Sequence, residues 1–132
     1  MHLHARAERK CRNRSETGSL YFRYVEAAGE ELYRSLGFTF KDLNEKYKIA
    51  IPRVEAFCQY KAAARFGDTL TVILRLGEKT EKTMRYDFEI ERKADSELFC
   101  NGYLRIIGLD LVSWKATALP TDLTAKVVNA LE

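Results

Sequence analysis

Residues 20–36 read LYFRYVEAAGEELYRSL. Tyr21, Tyr24, Val25, Ala28, Leu32 and Leu36 recur within them at three- and four-residue steps, which lines one side of an α-helix with apolar groups. The other side carries Arg23, Glu26, Glu30 and Arg34 and is a solvated face. Glu26 and Glu30 are also spaced to reach past the helix edge into a neighbouring groove. Ser19 supplies a capping hydroxyl at the start. Gly37 suits the left-handed position that ends a helix, with Phe38 packing back onto it. Thr39 and Asp42 have capping spacing ahead of a second, short helical turn that carries Leu43 and Tyr47.

After Pro52 the apolar period changes from three or four to two. Residues 53–61 alternate Val54, Ala56, Cys58 and Tyr60 with Glu55, Phe57, Gln59 and Lys61. Residues 69–77 alternate Leu70, Val72, Leu74 and Leu76 with Thr71, Ile73 and Arg75. Residues 83–92 set Met84, Tyr86, Phe88 and Ile90 against Arg85, Asp87, Glu89 and Glu91, and residues 97–109 follow with Leu98, Cys100, Leu104 and Ile106. These are strands with one buried face. Connections at Gly67-Asp68, Gly77 to Lys82 and Ala94-Asp95-Ser96 are hairpin-like, which predicts an antiparallel meander. A final strand is expected from Val112 to Ala118, and Thr121 caps a closing helix through Leu131. One long helix followed by long strands places the chain in the α+β class, the helix covering one face of the sheet. Phe57, Ile73, Phe99, Tyr103 and Ile107 fall on the other face. That face is therefore expected to be partly covered, and an edge strand to pair with a second subunit.

Composition narrows the function. The chain has 132 residues, 46% of them hydrophobic, which suits a single domain with a real core. Its net charge is +3. Residues 1–14 hold five cations (Arg6, Arg9, Lys10, Arg12, Arg14) against Glu8, a balance of +4, so the remainder carries −1. A nearly neutral body argues against nucleic acid as a partner. We expect residues 1–14 to be a basic leader, either disordered or a weak first strand through Leu3, Ala5 and Ala7, and residues 15–132 to be the domain. No run of about 18 apolar residues occurs, so no membrane partner is expected. The N-terminus lacks the apolar core of a secretory signal. Cys11, Cys58 and Cys100 are odd in number and widely spaced, unlike a disulfide framework or a zinc site. Reduced thiols point to the cytoplasm.

Several stretches together resemble the hotdog-fold acyl-CoA thioesterases of the 4-hydroxybenzoyl-CoA thioesterase type. They are Ser15-Glu16-Thr17, Leu20 through Ala28, Arg34-Ser35-Leu36-Gly37, Pro52 through Ala56, Tyr60-Lys61-Ala62 and Arg65-Phe66-Gly67-Asp68. The resemblance covers residues 15–120. It implies a hotdog fold, a long central helix wrapped by a curved antiparallel sheet. It also implies hydrolysis of acyl-CoA thioesters to free acid and CoA, with sites between subunits of a homodimer or homotetramer and no cofactor or metal. The thioester carbonyl would be polarised by the helix N-terminus, whose unpaired N–H groups and positive dipole end stabilise an oxyanion.

The chain departs from that pattern at one place. In the family, Ser-Glu-Thr is followed by an Asp that acts as nucleophile or general base, and by a short loop. Here Thr17 runs directly into Gly18-Ser19-Leu20-Tyr21. Glu16 is the nearest acid, with Ser19 and Tyr21 at the helix start, and these three are the candidate catalytic residues. Gly18, Glu55, Lys61 and Arg65 are the candidates for substrate or CoA binding, the two cations as partners for phosphates. Ser19 also reads as a cap, Tyr21 as core, and the cations as solvated strand-end charge. His2 and His4 lie in the leader, so no Ser-His-Asp arrangement can be built. The alternative is a catalytically impaired member of the fold that binds acyl-CoA without cleaving it.

Overall fold

The computed structural model describes residues 5–10 and 18–131, with side chains from residue 21. Glu16 and Cys11 lie outside the described residues.

Helix α1 spans Gly18–Ser35. It starts ahead of the expected point, so Ser19 sits in the first turn rather than before it. The apolar stripe is buried as its spacing requires: Tyr21, Val25, Ala28 and Leu32 are all under 8% exposed. Gly37 ends the helix at φ +91°. The Phe38 N–H reaches the Tyr33 carbonyl at 2.9 Å and the Gly37 N–H the Arg34 carbonyl at 3.1 Å. This pair of bonds satisfies carbonyls the helix leaves open and turns Phe38 back into the core. Helix α2, Phe40–Lys46, is capped by Thr39, whose hydroxyl accepts from the Asp42 N–H at 3.0 Å.

The sheet comprises β1 (Ala5–Lys10), β2 (Ile49–Ala50), β3 (Arg53–Tyr60), β4 (Thr69–Lys79), β5 (Thr83–Arg92), β6 (Leu98–Asp110) and β7 (Ala116–Thr117). Its order is β1-β4-β5-β6, with β3 beside one length of β6 and the short β2 and β7 beside its end. All pairings are antiparallel. The weak alternation at the N-terminus is a strand, running from Ala5 opposite Leu74 to Lys10 opposite Thr69. Leu70, Val72, Leu74, Phe88, Ile90 and Cys100 bury one face under α1. Each aliphatic or aromatic side chain among them contributes about 1.5–3 kcal/mol relative to exposure. Around the C-terminal half of α1 a second cluster forms. There Leu123, Val127 and Leu131 of α3 (Thr121–Leu131) meet Leu32, Tyr33, Phe38, Met84 and Ile106.

Two expectations are corrected. The 61–68 connection is not a hairpin, because β3 pairs with β6 and not with β4. It crosses three strand spacings, about 14 Å, which eight extended residues span easily. Ala64, 1% exposed, anchors it by donating its N–H to the Tyr21 hydroxyl at 3.1 Å. The expected strand from Val112 to Ala118 is only β7. Ahead of it Asp110 accepts from the N–H groups of Val112 (2.8 Å) and Ser113 (3.1 Å) and bends the chain into a turn. A side-chain acceptor that captures two successive N–H groups takes them from any ladder.

Candidate active site

A second line of α1 residues runs beside the buried stripe: Glu26, Gly29, Glu30 and Tyr33. Their spacing of three, four and seven keeps them on one edge of the helix. This edge overlooks the sheet where β3 and α2 meet it, and a pocket of about 310 Å³ opens there. Leu74, Tyr86, Leu104 and Ile106 supply its wall from the sheet, and Phe40 and Ile51 complete it. Gly29 matters because it has no side chain: a Cβ built on it would meet nothing within 4 Å. An interior helix glycine costs up to about 1 kcal/mol against alanine, and here it widens the groove.

Glu26 lies at the mouth of the pocket, ion-paired with Arg53. Both side chains are a little over 40% exposed. Such a pair contributes about 0–1 kcal/mol to stability, but it fixes where the carboxylate points. Arg53 also lies 5.9 Å from the Phe22 ring centre. It reaches this side of the sheet through a β-bulge. Between Arg53 and Glu55 the register with β6 slips, so Arg53 stands opposite Ile106 while Glu55 stands opposite Arg105. Strict alternation would have put both on the same face.

Two of the lining residues are tyrosines, and the hydroxyls of Tyr33 and Tyr86 are 2.6 Å apart. Both residues are under 8% exposed. Burial pushes the Tyr33 phenol up to about 12, only partly offset by the bond from Tyr86. Burial also raises Tyr86 well above the usual phenol range, and its neighbour Tyr33 adds to the shift. Both stay neutral at physiological pH. The lining therefore combines apolar side chains with a half-exposed Glu26–Arg53 ion pair and two buried neutral phenols.

The sequence candidates separate into two places. Gly18 and Ser19 form the first turn of α1. Tyr21, 1% exposed, is next to that turn and holds the 61–65 segment through Ala64. The same segment carries Lys61 and Arg65, both exposed, and the Arg65 N–H is bonded by the Asp68 carboxylate at 2.8 Å. These residues gather at the N-terminal end of the helix. Glu55 does not join them. It lies on the opposite sheet face, 3.4 Å from Arg105, which also reaches Glu78 at 3.4 Å. The residues that sequence reasoning left out of the site are Gly29, Tyr33, Arg53 and Tyr86. Glu26 and Glu30 had been noted for their reach into a groove, and that spacing was the available signal. Among the described residues no cluster of three or more His, Cys, Asp or Glu side chains is placed to hold a metal ion. No helix among them is long and apolar enough to cross a membrane.

Solved structures share this architecture. A 1,4-dihydroxy-2-naphthoyl-CoA thioesterase from Synechocystis superposes with a TM-score of 0.86 at 19% identity, covering 96% of each chain. A hypothetical protein from Staphylococcus aureus, solved in complex with CoA, gives 0.88 at 14% identity over 98% of this chain and 85% of its own. A hypothetical protein from Thermus thermophilus gives 0.83 at 23% identity over 96% and 98%. At these identities the likeness establishes the fold, a curved antiparallel sheet wrapped around a long helix, as in the hotdog thioesterases. A search of curated proteins gives no sequence match. The family model of the thioesterase-like superfamily matches residues 18–127, and the chain belongs to that superfamily.

Proposed function

We propose that this chain hydrolyses acyl-CoA thioesters, with the acyl group in the pocket beside α1 and Glu26 as the general base. The observation that carries this reading is the pocket itself: an apolar cleft of about 310 Å³ with a carboxylate clamped at its mouth. Glu26 takes a proton from water and the water oxygen attacks the thioester carbonyl carbon. The C–S bond breaks, and CoA leaves as a thiolate that is then protonated. Arg53 is a positioning residue for Glu26. Lys61 and Arg65 lie by the first turns of α1, and Tyr21 is one and a half turns, about 7–8 Å, from Glu26 along the axis. The pantetheine arm of CoA separates its phosphates from its thioester, so cations at one end of the helix and a carboxylate midway along it suit one ligand. Gly18 and Ser19 offer N–H groups to a phosphate at the helix start. Glu16, two residues before Gly18 in the sequence, is the competing base, acting with Ser19 and Tyr21.

A homodimer belongs to the same proposal. β3 bonds only to β6 among the described strands. It leaves Val54, Phe57 and Tyr60 at least 50% exposed, an edge that a second copy would cover. We place the activity in the cytoplasm, where Cys58 and Cys100, both free, stay reduced.

The test is thiol release from short, medium and aromatic acyl-CoAs. Glu26→Gln is expected to lower kcat by at least a hundredfold with the fold intact, and Glu16→Gln to have a small effect. The reverse ranking moves the chemistry to the helix start. Binding of CoA with no hydrolysis of any thioester favours the catalytically impaired alternative.

A further inference from the structure

The lining of the pocket is not uniform. Leu74, Leu104 and Ile106 would seat a plain hydrocarbon chain, yet Tyr33 and Tyr86, whose hydroxyls are bonded to each other, also line the pocket, with Tyr33 seven residues, about 10 Å, along α1 from Glu26. Two phenols carry two hydrogens and four acceptor sites. One hydrogen and one acceptor site are used in the 2.6 Å bond between them. The described partner for the other hydrogen is the Met84 sulfur, 3.8 Å from the Tyr86 oxygen, and a thioether is a weak acceptor. Buried polar atoms normally find full partners. Here a donor is poorly met and acceptor sites remain on two residues of the pocket lining.

We infer that the Tyr33–Tyr86 hydroxyl pair is a specificity site that selects acyl groups carrying an uncharged oxygen, a hydroxyl or keto group, at the end remote from the thioester. An oxygen there accepts from the under-used phenol hydrogen, and a hydroxyl also donates to a free lone pair. A plain acyl chain leaves the pair as it is. A terminal carboxylate is excluded because it would lose its hydration beside neutral groups. Among the described residues the one cation lining the pocket is Arg53, half-exposed and already paired with Glu26. Both phenols are held neutral by burial, so the selection persists across physiological pH. Phe40, whose ring lies 6.2 Å from that of Tyr33, braces the pair from α2.

This inference rests on the acyl-CoA reading, and the experiment separates the two. Wild type, Tyr86→Phe and Tyr33→Phe are assayed on matched acyl-CoAs from four to ten carbons: unsubstituted, ω-hydroxy, (ω-1)-keto and ω-carboxy. Affinity for the corresponding non-hydrolysable CoA thioethers is measured by calorimetry. The expected result is a tenfold or greater preference of wild type, in kcat/KM and in affinity, for the hydroxy or keto member at one chain length or more. The ω-carboxy member should be the poorest. Tyr86→Phe should abolish the preference, read as the ratio of the oxygenated to the unsubstituted substrate within the same variant. Equal handling of oxygenated and plain chains at every length, or a preference that survives both substitutions, overturns the inference and leaves thioesterase activity standing. No hydrolysis of any thioester removes the acyl-CoA reaction, and the thioether affinities still decide the preference. Unchanged circular dichroism and cooperative unfolding show that a variant's loss is not misfolding.

Discussion

Gly29 offers a direct test of whether the groove along α1 holds the acyl chain. It sits near the middle of an 18-residue helix and its missing Cβ faces open space. Gly29→Ala should therefore stabilise the fold: the helix gains up to about 1 kcal/mol and nothing clashes. For a chain of this size that is a rise in Tm of roughly 3–5 °C. The same alanine enters the groove, so stability and substrate range should move in opposite directions. Gly29→Leu carries this further, since its branched side chain occupies space otherwise left to the ligand. Each acyl methylene displaced forfeits about 0.8 kcal/mol, which raises KM about fourfold. Longer acyl-CoAs should suffer in steps, while the shortest keep their kcat/KM. The assay is thermal unfolding at one fixed protein concentration, because any self-association shifts Tm, alongside KM across a chain-length series. A fall in Tm for Gly29→Ala would show that the space around residue 29 is not open. An unchanged length profile for Gly29→Leu, with the fold intact, would show that acyl groups bind elsewhere.

Other perturbations test the parts that hold this groove. Tyr21→Phe strips the acceptor from the buried Ala64 N–H and should cost about 1–3 kcal/mol, read as a lower urea midpoint with unchanged slope. An unaltered midpoint would mean that the 61–68 crossover is not anchored there. Gly102→Ala would place a Cβ 1.9 Å from the Phe57 carbonyl oxygen and 2.9 Å from the Cys58 Cα. Because the obstacle is backbone, β3 should be forced off β6, with hydrogen exchange rising in β3 before β4 and β5. Alkaline pH should unfold the chain through the buried phenols. Tyr33 is raised from 10.0 to about 12, so its contribution is complete below pH 10 and lost as pH climbs toward 12. Two units correspond to roughly 3 kcal/mol, with Tyr86 acting in the same direction. Urea midpoints at pH 9 and pH 12 should differ accordingly, and less so in Tyr33→Phe; equal midpoints in wild type would refute it.

The fold was legible because burial writes itself into spacing. Tyr21, Val25, Ala28 and Leu32 fall at helical intervals, and β5 alternates buried Met84, Tyr86, Phe88 and Ile90 with partly exposed neighbours. Periodicity reports which face is buried but not which strand lies alongside. Gly67-Asp68 between two alternating runs has the composition of a hairpin turn, yet β3 pairs with β6. The crossover is set by Ala64 docking against Tyr21, a contact 43 residues apart in sequence, and no local signal records it. The first strand was faint for a related reason. Ala5 and Ala7 are small, and the pairing with β4 comes from backbone bonds that any residue can make.

The candidate site was harder to read because each of its parts breaks a rule that made the fold readable. Glu26 and Glu30 are helix-edge acids, and the same spacing serves a solvated face. Gly29 between them is an absence, visible only when the space above it is known to be open. Arg53 is the sharpest case. By alternation it belongs with Glu55, Phe57 and Gln59, and only the one-residue slip before Glu55 turns it toward α1. A bulge is an irregularity, so a method that counts regular intervals discards it. The same slip joins a strand cation to a helix carboxylate at the mouth of the groove. Tyr33 and Tyr86 mislead in the other direction. Tyr86 sits on the alternating buried face of β5 and reads as core, and Tyr33 stands beside the buried stripe of α1, yet both line the pocket with their hydroxyls 2.6 Å apart. Structural residues follow the period of their element, whereas site residues are set by where two elements of different period converge. The fold can therefore be read from the residues one element at a time, while the pocket is defined only by pairs such as Glu26 with Arg53 and Tyr33 with Tyr86.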